Sequence, residues 1–138
     1  MNYTPQELMV AAAARQIEDH NRVFVGMRLP LLAFQLAKVT HAPRAVSLFE
    51  NGLLREAPAS DMIYTMGDLP NQTDASWATT LIEVMAMMQR GEVDVGFLGG
   101  AQVDRFGNLT PPGQGTTNAA CACRAVAGPA TSRRCPNA

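Results

Sequence analysis

The stretch Leu48-Phe49-Glu50-Asn51-Gly52 determines how the chain is organised, because an apolar run ends there on a carboxylate and meets two residues that tolerate unusual backbone dihedrals. Two interpretations are open. In one, a strand ends at a sheet edge, the chain turns sharply, and Glu50 faces a cleft. In the other, Asn51-Gly52 joins two apolar runs as a β-hairpin and Glu50 is a solvated flank. Taken alone, these five residues favour the hairpin.

The composition is that of one soluble globular domain. The chain has 138 residues, of which 47% are hydrophobic and 17% charged. Its 12 acidic and 11 basic side chains nearly cancel, so the charge does not indicate nucleic acid or an anionic membrane as a partner. The N-terminal residues lack the features of a signal peptide, and no apolar run is long enough to cross a bilayer. The sequence therefore predicts a cytoplasmic protein.

The cysteines predict neither a disulfide framework nor a metal site. Cys121, Cys123 and Cys135 are an odd number of cysteines, and all lie in the last quarter of the chain. The two histidines, His20 and His41, are far from them in sequence, so a tetrahedral zinc site lacks ligands. We expect no metal.

The first half of the chain predicts a strand-helix-strand unit. Thr4-Pro5-Gln6-Glu7 has the pattern of a capping box, which starts a helix from about Pro5 to Asp19. A strand at residues 22–25, a helix at 31–38 and a strand at 45–49 follow. Two strands joined through a helix pair in parallel, so the unit predicts a parallel sheet.

The second half is less regular. Residues 53–80 are predicted to be irregular surface, with only Met62-Ile63-Tyr64 resembling a short strand. A helix is predicted at Leu81 to Gln89 and a third strand at Val93 to Leu98. The sequence thus predicts an α/β fold with an open, mainly parallel sheet and flanking helices.

The last 28 residues differ in composition from the rest. From Pro111 to Ala138, the only large aliphatic or aromatic residue is Val126. Such a segment buries too little apolar surface to offset its ordering entropy, so we expect it to be disordered. Its bias toward small residues, proline, arginine and cysteine also suggests the hypothesis of translation out of frame.

Three segments follow the carboxyl ends of predicted strands: Gly26 to Pro30, Glu50 to Gly52, and Gly99 to Asn108. In an open α/β sheet these ends share one edge, where ligands bind. Neither glycine-containing loop has a dinucleotide or nucleoside-triphosphate fingerprint, and no catalytic triad is present. Arg28 and Arg105 fit a phosphate contact, although a lone loop arginine is more often solvated.

These segments carry a family resemblance. Glu50-Asn51-Gly52 after an apolar strand resembles the Ser-Glu-Asn-Gly signature of family I CoA-transferases. Gly26-Met27-Arg28-Leu29-Pro30 resembles the family's Gly-x-x-Leu-Pro loop, and residues 97–108 are similar to its Gly-Gly-Ala-Gln-Val-Asp-x-x-Gly-Asn block. The order and spacing match the β subunit of the glutaconate CoA-transferase type over about residues 2 to 110.

The resemblance implies that Glu50 is a nucleophile, which takes the acyl group of a CoA thioester and then forms a glutamyl-CoA thioester. It also implies an α subunit as partner and acyl-CoA and a carboxylic acid as substrates, with no permanently bound cofactor. From their position in the three segments, the residues expected around the substrate and CoA are Gly26, Arg28, Asn51, Gly52, Gly99, Gly100, Gln102 and Asn108. Phe49, Leu53 and Leu54 are expected to supply apolar walls.

Two departures from the family pattern stand out. Phe49 replaces the signature serine, and the β-subunit-like part covers residues 1–110, with residues 111–138 unlike the family's further strands. Two alternatives stay open. One is CoA-ester hydrolysis or ring cleavage, as in related subunits that lack the glutamate, and the other is a fragment that only binds its partner or CoA esters.

Overall fold

A computed structural model describes residues 3–100, 102–103, 109–110 and 119–124. In this part of the chain, no helix combines the length and apolarity needed to cross a membrane. The helices are α1 (Pro5–Ala14), α2 (Leu29–Thr40), α3 (Leu69–Gln72) and α4 (Leu81–Gln89). The strands are β1 (Arg22–Phe24), β2 (Val46–Leu48), β3 (Leu53–Arg55), β4 (Trp77–Ala78), β5 (Val95–Gly100), β6 (Gln102–Val103), β7 (Leu109–Thr110) and β8 (Ala119–Arg124).

The main sheet has six strands in the order β4-β3-β2-β1-β5-β8. Its centre is parallel, because β1 pairs in parallel with both β2 and β5. The outer pairs, β2 with β3, β3 with β4 and β5 with β8, are antiparallel. The predicted α/β class and parallel strand-helix-strand unit are confirmed, while the sheet as a whole is mixed. The strands β6 and β7 form a separate antiparallel pair.

Apolar residues alternate along the central strands and fill a core on each face of the sheet. Val23 and Val25 belong to the core that contains buried α2 residues, whereas Phe24 belongs to the core that contains α4 residues. At the end of β2, Phe49 faces the first core and Leu48 the second. This period of two is what a strand covered on both faces requires. Helix α1 packs against α2.

The helix boundaries show how local bonds end each helix. The predicted capping box is present, because the Thr4 hydroxyl accepts from the Glu7 N–H at 3.2 Å and a Glu7 carboxylate oxygen accepts from the Thr4 N–H at 2.6 Å. Helix α1 ends at Ala14, earlier than predicted, since the N–H of Ile17 donates to the Ala14 carbonyl at 3.1 Å in a tighter turn that buries Ile17. Helix α2 is longer than predicted at both ends.

The prediction of irregular surface at residues 53–80 is wrong for three short elements and holds for the residues between them. This segment contains β3, α3 and β4, while Met62-Ile63-Tyr64 is not a strand. Short strands were missed because β4 has two exposed residues and β3 ends on an arginine, so neither shows the alternation typical of a strand. Two polar side chains, Arg55 and Asn71, are buried here.

The prediction of disorder from residue 111 onward is wrong for residues 119–124, which form β8 along the edge of β5 in the register Val95↔Arg124 to Gly100↔Ala119. An edge strand is held by its backbone ladder, so a composition poor in large apolar residues does not prevent it. Residues 111–118 and 125–138 lie outside the described part of the chain, and there the prediction stays untested.

Candidate functional site

The turn that carries Glu50 is a hairpin between β2 and β3. The Phe49 N–H donates to the Leu53 carbonyl at 2.9 Å, and the Gly52 N–H donates to the Phe49 carbonyl at 3.0 Å. Gly52 has φ of 92°, whereas Glu50 and Asn51 keep negative φ. Such a three-residue loop with glycine in the left-handed region is a common hairpin connection. The predicted hairpin with a solvated Glu50 is therefore confirmed, and it sits at the end of β2, which is the strand end that the other interpretation required.

The hairpin places Glu50 at the carboxyl-terminal edge of the parallel strands. In the β1–β2 register Phe24 lies opposite Leu48, so Gly26 and Glu50, each two residues further on, leave the sheet at the same level. Phe24 also pairs with Gly96 of β5, and a Cβ built on Gly26 would lie 3.8 Å from the Phe97 carbonyl oxygen. The structure therefore brings the Gly26 loop and the Glu50 loop to one edge beside β5, as predicted.

Glu50 is exposed, and its carboxylate makes no hydrogen bond or ion pair within the described residues. The next residue, Asn51, is held by hydrogen bonds of its side chain. The side-chain amide of Asn51 donates to the Met66 carbonyl at 2.7 Å, and its Oδ1 accepts from the Leu53 N–H at 3.4 Å. Asn51 thus ties the tip of the hairpin to the segment before α3, and the free acid is carried on a constrained turn.

Gly52 is buried against the segment that leads into α4. Its carbonyl accepts from the Thr79 N–H at 2.8 Å, and a Cβ at this position would lie 2.1 Å from the Thr79 carbonyl oxygen. Both this contact and the positive φ require glycine. Gly52 therefore acts through the backbone geometry next to Glu50.

The loop after β1 presents backbone groups at the same edge. Arg28 is exposed and has φ of 65° and ψ of −120°, which is unusual for a residue with a Cβ. It precedes α2, whose N-terminus has no side-chain cap. Unpaired N–H groups at a helix start favour negative charge. Gly26 is partly buried, with the Pro30 ring 3.6 Å from the position of a Cβ.

The third predicted loop begins inside a strand. Gly99 and Gly100 belong to β5, where they pair with Ala120 and Ala119 of β8. They were expected to lie in a loop because glycine is rare inside strands. Gln102 lies in β6 opposite Thr110. Asn108 and Arg105 lie outside the described residues, so their predicted roles stay predictions.

The three residues expected to form apolar walls take different places. Phe49 is 1% exposed and belongs to the core under α2, whereas Leu54 belongs to the core on the opposite face. Leu53 is partly buried against the first core. Phe49 and Leu54 therefore stabilise the two sides of the hairpin and do not line an open cleft.

Asp68 organises the segment that receives Asn51. Its carboxylate accepts from the Tyr64 N–H at 2.7 Å, the Thr65 N–H at 2.9 Å and the Thr65 hydroxyl at 2.5 Å. These hydrogen bonds, the Thr65 hydroxyl first, lower the pKa of Asp68 below its ordinary value of 3.8. The charged carboxylate thus stabilises the turn on which Met66 lies.

A cavity of about 570 Å³ lies at the opposite edge of the sheet, where β1 and β2 begin. It contains none of the predicted site residues and is lined by His20, Arg22, Lys38, Pro43, Arg44, Val46 and Glu56. The buried Lys38 ammonium donates to the Pro43 and Ala45 carbonyls at 2.6 and 2.7 Å. Burial lowers the pKa of Lys38.

Sequence reasoning missed two residues, Arg55 and Asn71, that hold the segment to which the tip of the hairpin is hydrogen-bonded. Arg55 donates to backbone carbonyls between residues 58 and 73, and Asn71 donates to the Met66 carbonyl at 2.8 Å. Arg55 follows the apolar pair Leu53-Leu54 and directly precedes Glu56, so the sequence gave no signal that it is buried. Within the described residues no group of three or more His, Cys, Asp or Glu side chains is arranged to hold a metal.

Comparison with known families gives one clear match. A family model described as coenzyme A transferase matches residues 6–129. The matched region includes the Gly26, Glu50 and Gly99 segments and continues beyond the change of composition at residue 111.

Two curated proteins are similar in sequence. The β subunit of 3-oxoadipate CoA-transferase from Pseudomonas knackmussii is 38% identical over 108 residues, which cover 78% of this chain and 41% of that protein. The β subunit of glutaconate CoA-transferase from Acidaminococcus fermentans is 30% identical over 113 residues, which cover 78% of this chain and 42% of that protein. The chain therefore spans less than half the length of these relatives.

Solved structures have the same fold. Glutaconate coenzyme A-transferase from Acidaminococcus fermentans superposes with a TM-score of 0.70 at 27% identity, over 79% of this chain and 44% of that one. The decarboxylase AibA/AibB superposes with a TM-score of 0.69 at 33% identity, over 83% of this chain and 48% of that one.

Proposed function

The chain belongs to the coenzyme A transferase family, and we propose that it is the nucleophile-carrying part of a CoA-transferase β subunit. The resemblance drawn from the three motifs is thereby confirmed at the level of the family. The proposed activity is exchange of CoA between an acyl-CoA and a carboxylic acid, in complex with an α subunit. The observation that carries the proposal is an exposed, unpaired Glu50 on a fixed hairpin at the carboxyl-terminal edge of the parallel strands, within the described part of the chain.

In the proposed reaction, a carboxylate oxygen of Glu50 attacks the thioester carbonyl and the carbon–sulfur bond breaks, giving a mixed anhydride and CoA thiolate. The thiolate then attacks the glutamyl carbonyl and releases the first acid as its carboxylate, which leaves a glutamyl-CoA thioester. The second acid repeats these steps in reverse and regenerates Glu50. Atoms and charge balance at each step, and the only group that the protein must supply is a carboxylate nucleophile.

The N–H groups around the Glu50 edge are proposed to stabilise the oxyanions that form in these steps. The uncapped start of α2 follows the loop at Gly26, which leaves the sheet level with Glu50. Backbone donors aimed at a developing oxyanion lower the barrier most in a site that excludes water. Arg28, exposed at the start of α2, is proposed to contact the anionic parts of CoA.

Exposure of Glu50 is the reason to propose a partner that covers it. A carboxylate that water solvates freely is a weak nucleophile, and closing the site removes that solvation. The described residues leave Glu50 open to solvent. We therefore propose that the α subunit covers it, which agrees with the names of the relatives as one of two kinds of subunit.

Two alternatives have specific outcomes. Similarity to the decarboxylase AibA/AibB makes decarboxylation one alternative, and exposure of Glu50 would also suit a fragment that only binds its partner or CoA esters. The first would release carbon dioxide from a carboxylated acyl-CoA without needing an acceptor acid. The second would bind without turnover.

The test is CoA exchange in the complex of this chain with a co-expressed α subunit, measured with 3-oxoadipate or glutaconate as acceptor acid and succinyl-CoA or acetyl-CoA as donor. Glu50→Gln should abolish exchange and leave binding of the acyl-CoA in place. Glu56→Gln is the matched control, because Glu56 is exposed just after the same hairpin but lines the cavity at the other sheet edge. Exchange that survives in Glu50→Gln would overturn the proposal.

A further inference from the structure

Arg55 is a buried cation whose partners are backbone carbonyls. It is 3% exposed, and its Nη1 donates to the Asn71 carbonyl at 2.7 Å and the Thr73 carbonyl at 2.5 Å, while Nη2 donates to the Pro58 carbonyl at 3.2 Å. Among the described residues it has no carboxylate partner. Burial of a charge is costly unless fixed dipoles compensate it, so these three carbonyls must be held in place around the guanidinium.

The segment of residues 58–73, which Arg55 holds, contacts Asn51 through a single atom, the Met66 carbonyl oxygen. The Met66 carbonyl oxygen accepts from the side-chain amide of Asn51 at 2.7 Å and from that of Asn71 at 2.8 Å. Asn71 is fully buried, and its own carbonyl is held by Arg55. A continuous path of hydrogen bonds therefore runs from Arg55 through Asn71 and Met66 to Asn51, beside Glu50.

Arg55 also belongs to the hairpin that it supports. Its carbonyl accepts from the Ser47 hydroxyl at 3.2 Å, and Ser47 is its Cα partner in β2. The guanidinium at the base of the hairpin and the Asn51 amide at its tip thus hold the same 58–73 segment. Removing either anchor leaves the 58–73 segment hydrogen-bonded to the hairpin at one end only.

We propose that Arg55 is a positioning residue for Glu50, which acts through Asn71 and the shared Met66 carbonyl to fix Asn51 and the tip of the hairpin. The role of Glu50 rests on the proposed function above. A nucleophile gains from being held in a reactive orientation, and a displacement of about 1 Å costs on the order of 100-fold in rate. Arg55 itself touches no substrate in this proposal.

The first test needs no activity and uses hydrogen exchange in the 138-residue chain. In Arg55→Met, and in Asn71→Ala, which leaves the guanidinium intact, we expect the Leu53 N–H and the Asn51 side-chain amide to exchange at least about tenfold faster. The Val25 N–H, bonded to the Leu48 carbonyl in the central sheet, should be unchanged and reports that each variant is folded. Arg90→Met, at an exposed arginine after α4, is the control.

Unchanged exchange at both hairpin sites in a folded Arg55→Met chain would overturn the proposal. If that variant does not fold, Asn71→Ala and Arg55→Lys decide the question. Lysine keeps the charge but cannot bond three carbonyls in the same planar geometry. We therefore expect faster hydrogen exchange at the hairpin sites in Arg55→Lys as well. Unchanged exchange in both Asn71→Ala and Arg55→Lys would contradict the proposed hydrogen-bond path.

The second test is a double-mutant cycle on the complex with the α subunit, read as the rate of CoA exchange. Arg55→Met and Asn51→Ala should each lower the rate by about 10- to 100-fold, and the double variant should lose little more than the worse single variant, since both act through one carbonyl. The proposal would be contradicted if the rate losses of the two single variants multiplied in the double variant, or if Arg55→Met exchanged CoA at the wild-type rate. If wild type shows no exchange, the proposed function fails, while the hydrogen-exchange result still decides the positioning role.

Discussion

The Gly52 carbonyl accepts a hydrogen bond from the Thr79 N–H at 2.8 Å, and a methyl group on Gly52 would lie 2.1 Å from the Thr79 carbonyl oxygen. This relationship joins the hairpin next to Glu50 to the segment that starts α4. It leaves no room for a side chain and fixes where the turn sits on the sheet. The glycine of the Glu-Asn-Gly motif is thus explained by packing as well as by its dihedral angle.

Gly52→Ala should destabilise the protein by about 3 kcal/mol or more, because it combines a forbidden contact with a positive φ. The measurement is the free energy of unfolding in denaturant. Gly67→Ala is the control, since the nearest atom to its Cβ would be 3.9 Å away, and it should change stability by less than about 1 kcal/mol. Equal stabilities of the two variants would contradict this account of Gly52.

Phe49→Ser restores the signature serine of the family and should nevertheless destabilise this chain. Phe49 is 1% exposed within the core under α2, so the change opens a cavity and buries a hydroxyl, at a cost of about 3–5 kcal/mol. Phe49→Leu, which keeps an apolar side chain, should cost clearly less. Thermal unfolding of both variants checks the order, and a stable Phe49→Ser protein would show that the core adapts around this position.

Acid should loosen the turn at residues 64–68 through Asp68. The folded-state pKa of Asp68 is lowered by its hydrogen bonds, so its stabilising contribution is present above the ordinary value of 3.8 and is lost as pH falls through the lower folded pKa. Asp68→Asn should remove that pH dependence. Hydrogen exchange of the Tyr64 and Thr65 amides, measured from about pH 5 to below 3.8, follows the change, and amides equally protected in Asp68→Asn would contradict it.

Lys38 should make stability rise with pH on the alkaline side. Burial lowers its folded-state pKa below the ordinary 10.5, so between these two values the unfolded chain binds more protons and the free energy of unfolding increases with pH. Lys38→Met should remove this dependence. It should also lower stability at neutral pH by about 1–3 kcal/mol, because the Pro43 and Ala45 carbonyls lose their donor. Denaturant unfolding at several pH values checks both effects.

The sequence predicted the elements that local patterns determine. The capping box at Thr4, the parallel pairing of β1 with β2 and the location of Glu50 at the strand edge follow from capping chemistry, apolar periodicity and connection length. The Asn-Gly pair also predicted the hairpin, which the structure contains. These features depend on residues close together in the chain.

What the sequence did not predict depends on distant contacts. Arg55 and Asn71 lie 16 residues apart, and no spacing rule connects a strand arginine with carbonyls of a later loop. The strand at residues 119–124 is stabilised by pairing with β5, so its own composition gives no sign of it. The exposure of Glu50 likewise depends on how distant residues pack around the hairpin, which the local sequence does not determine.

Locating the covalent intermediate would test the role of Glu50 itself. The complex with the α subunit is incubated with an acyl-CoA and quenched with hydroxylamine, which converts a glutamyl thioester to a hydroxamate and releases CoA, and the peptides are then sequenced by mass spectrometry. We predict a hydroxamate at Glu50 that needs both acyl-CoA and the α subunit and is absent in Glu50→Gln. A complex that exchanges CoA while Glu50 stays unmodified, or a hydroxamate at another carboxylate, would contradict the account.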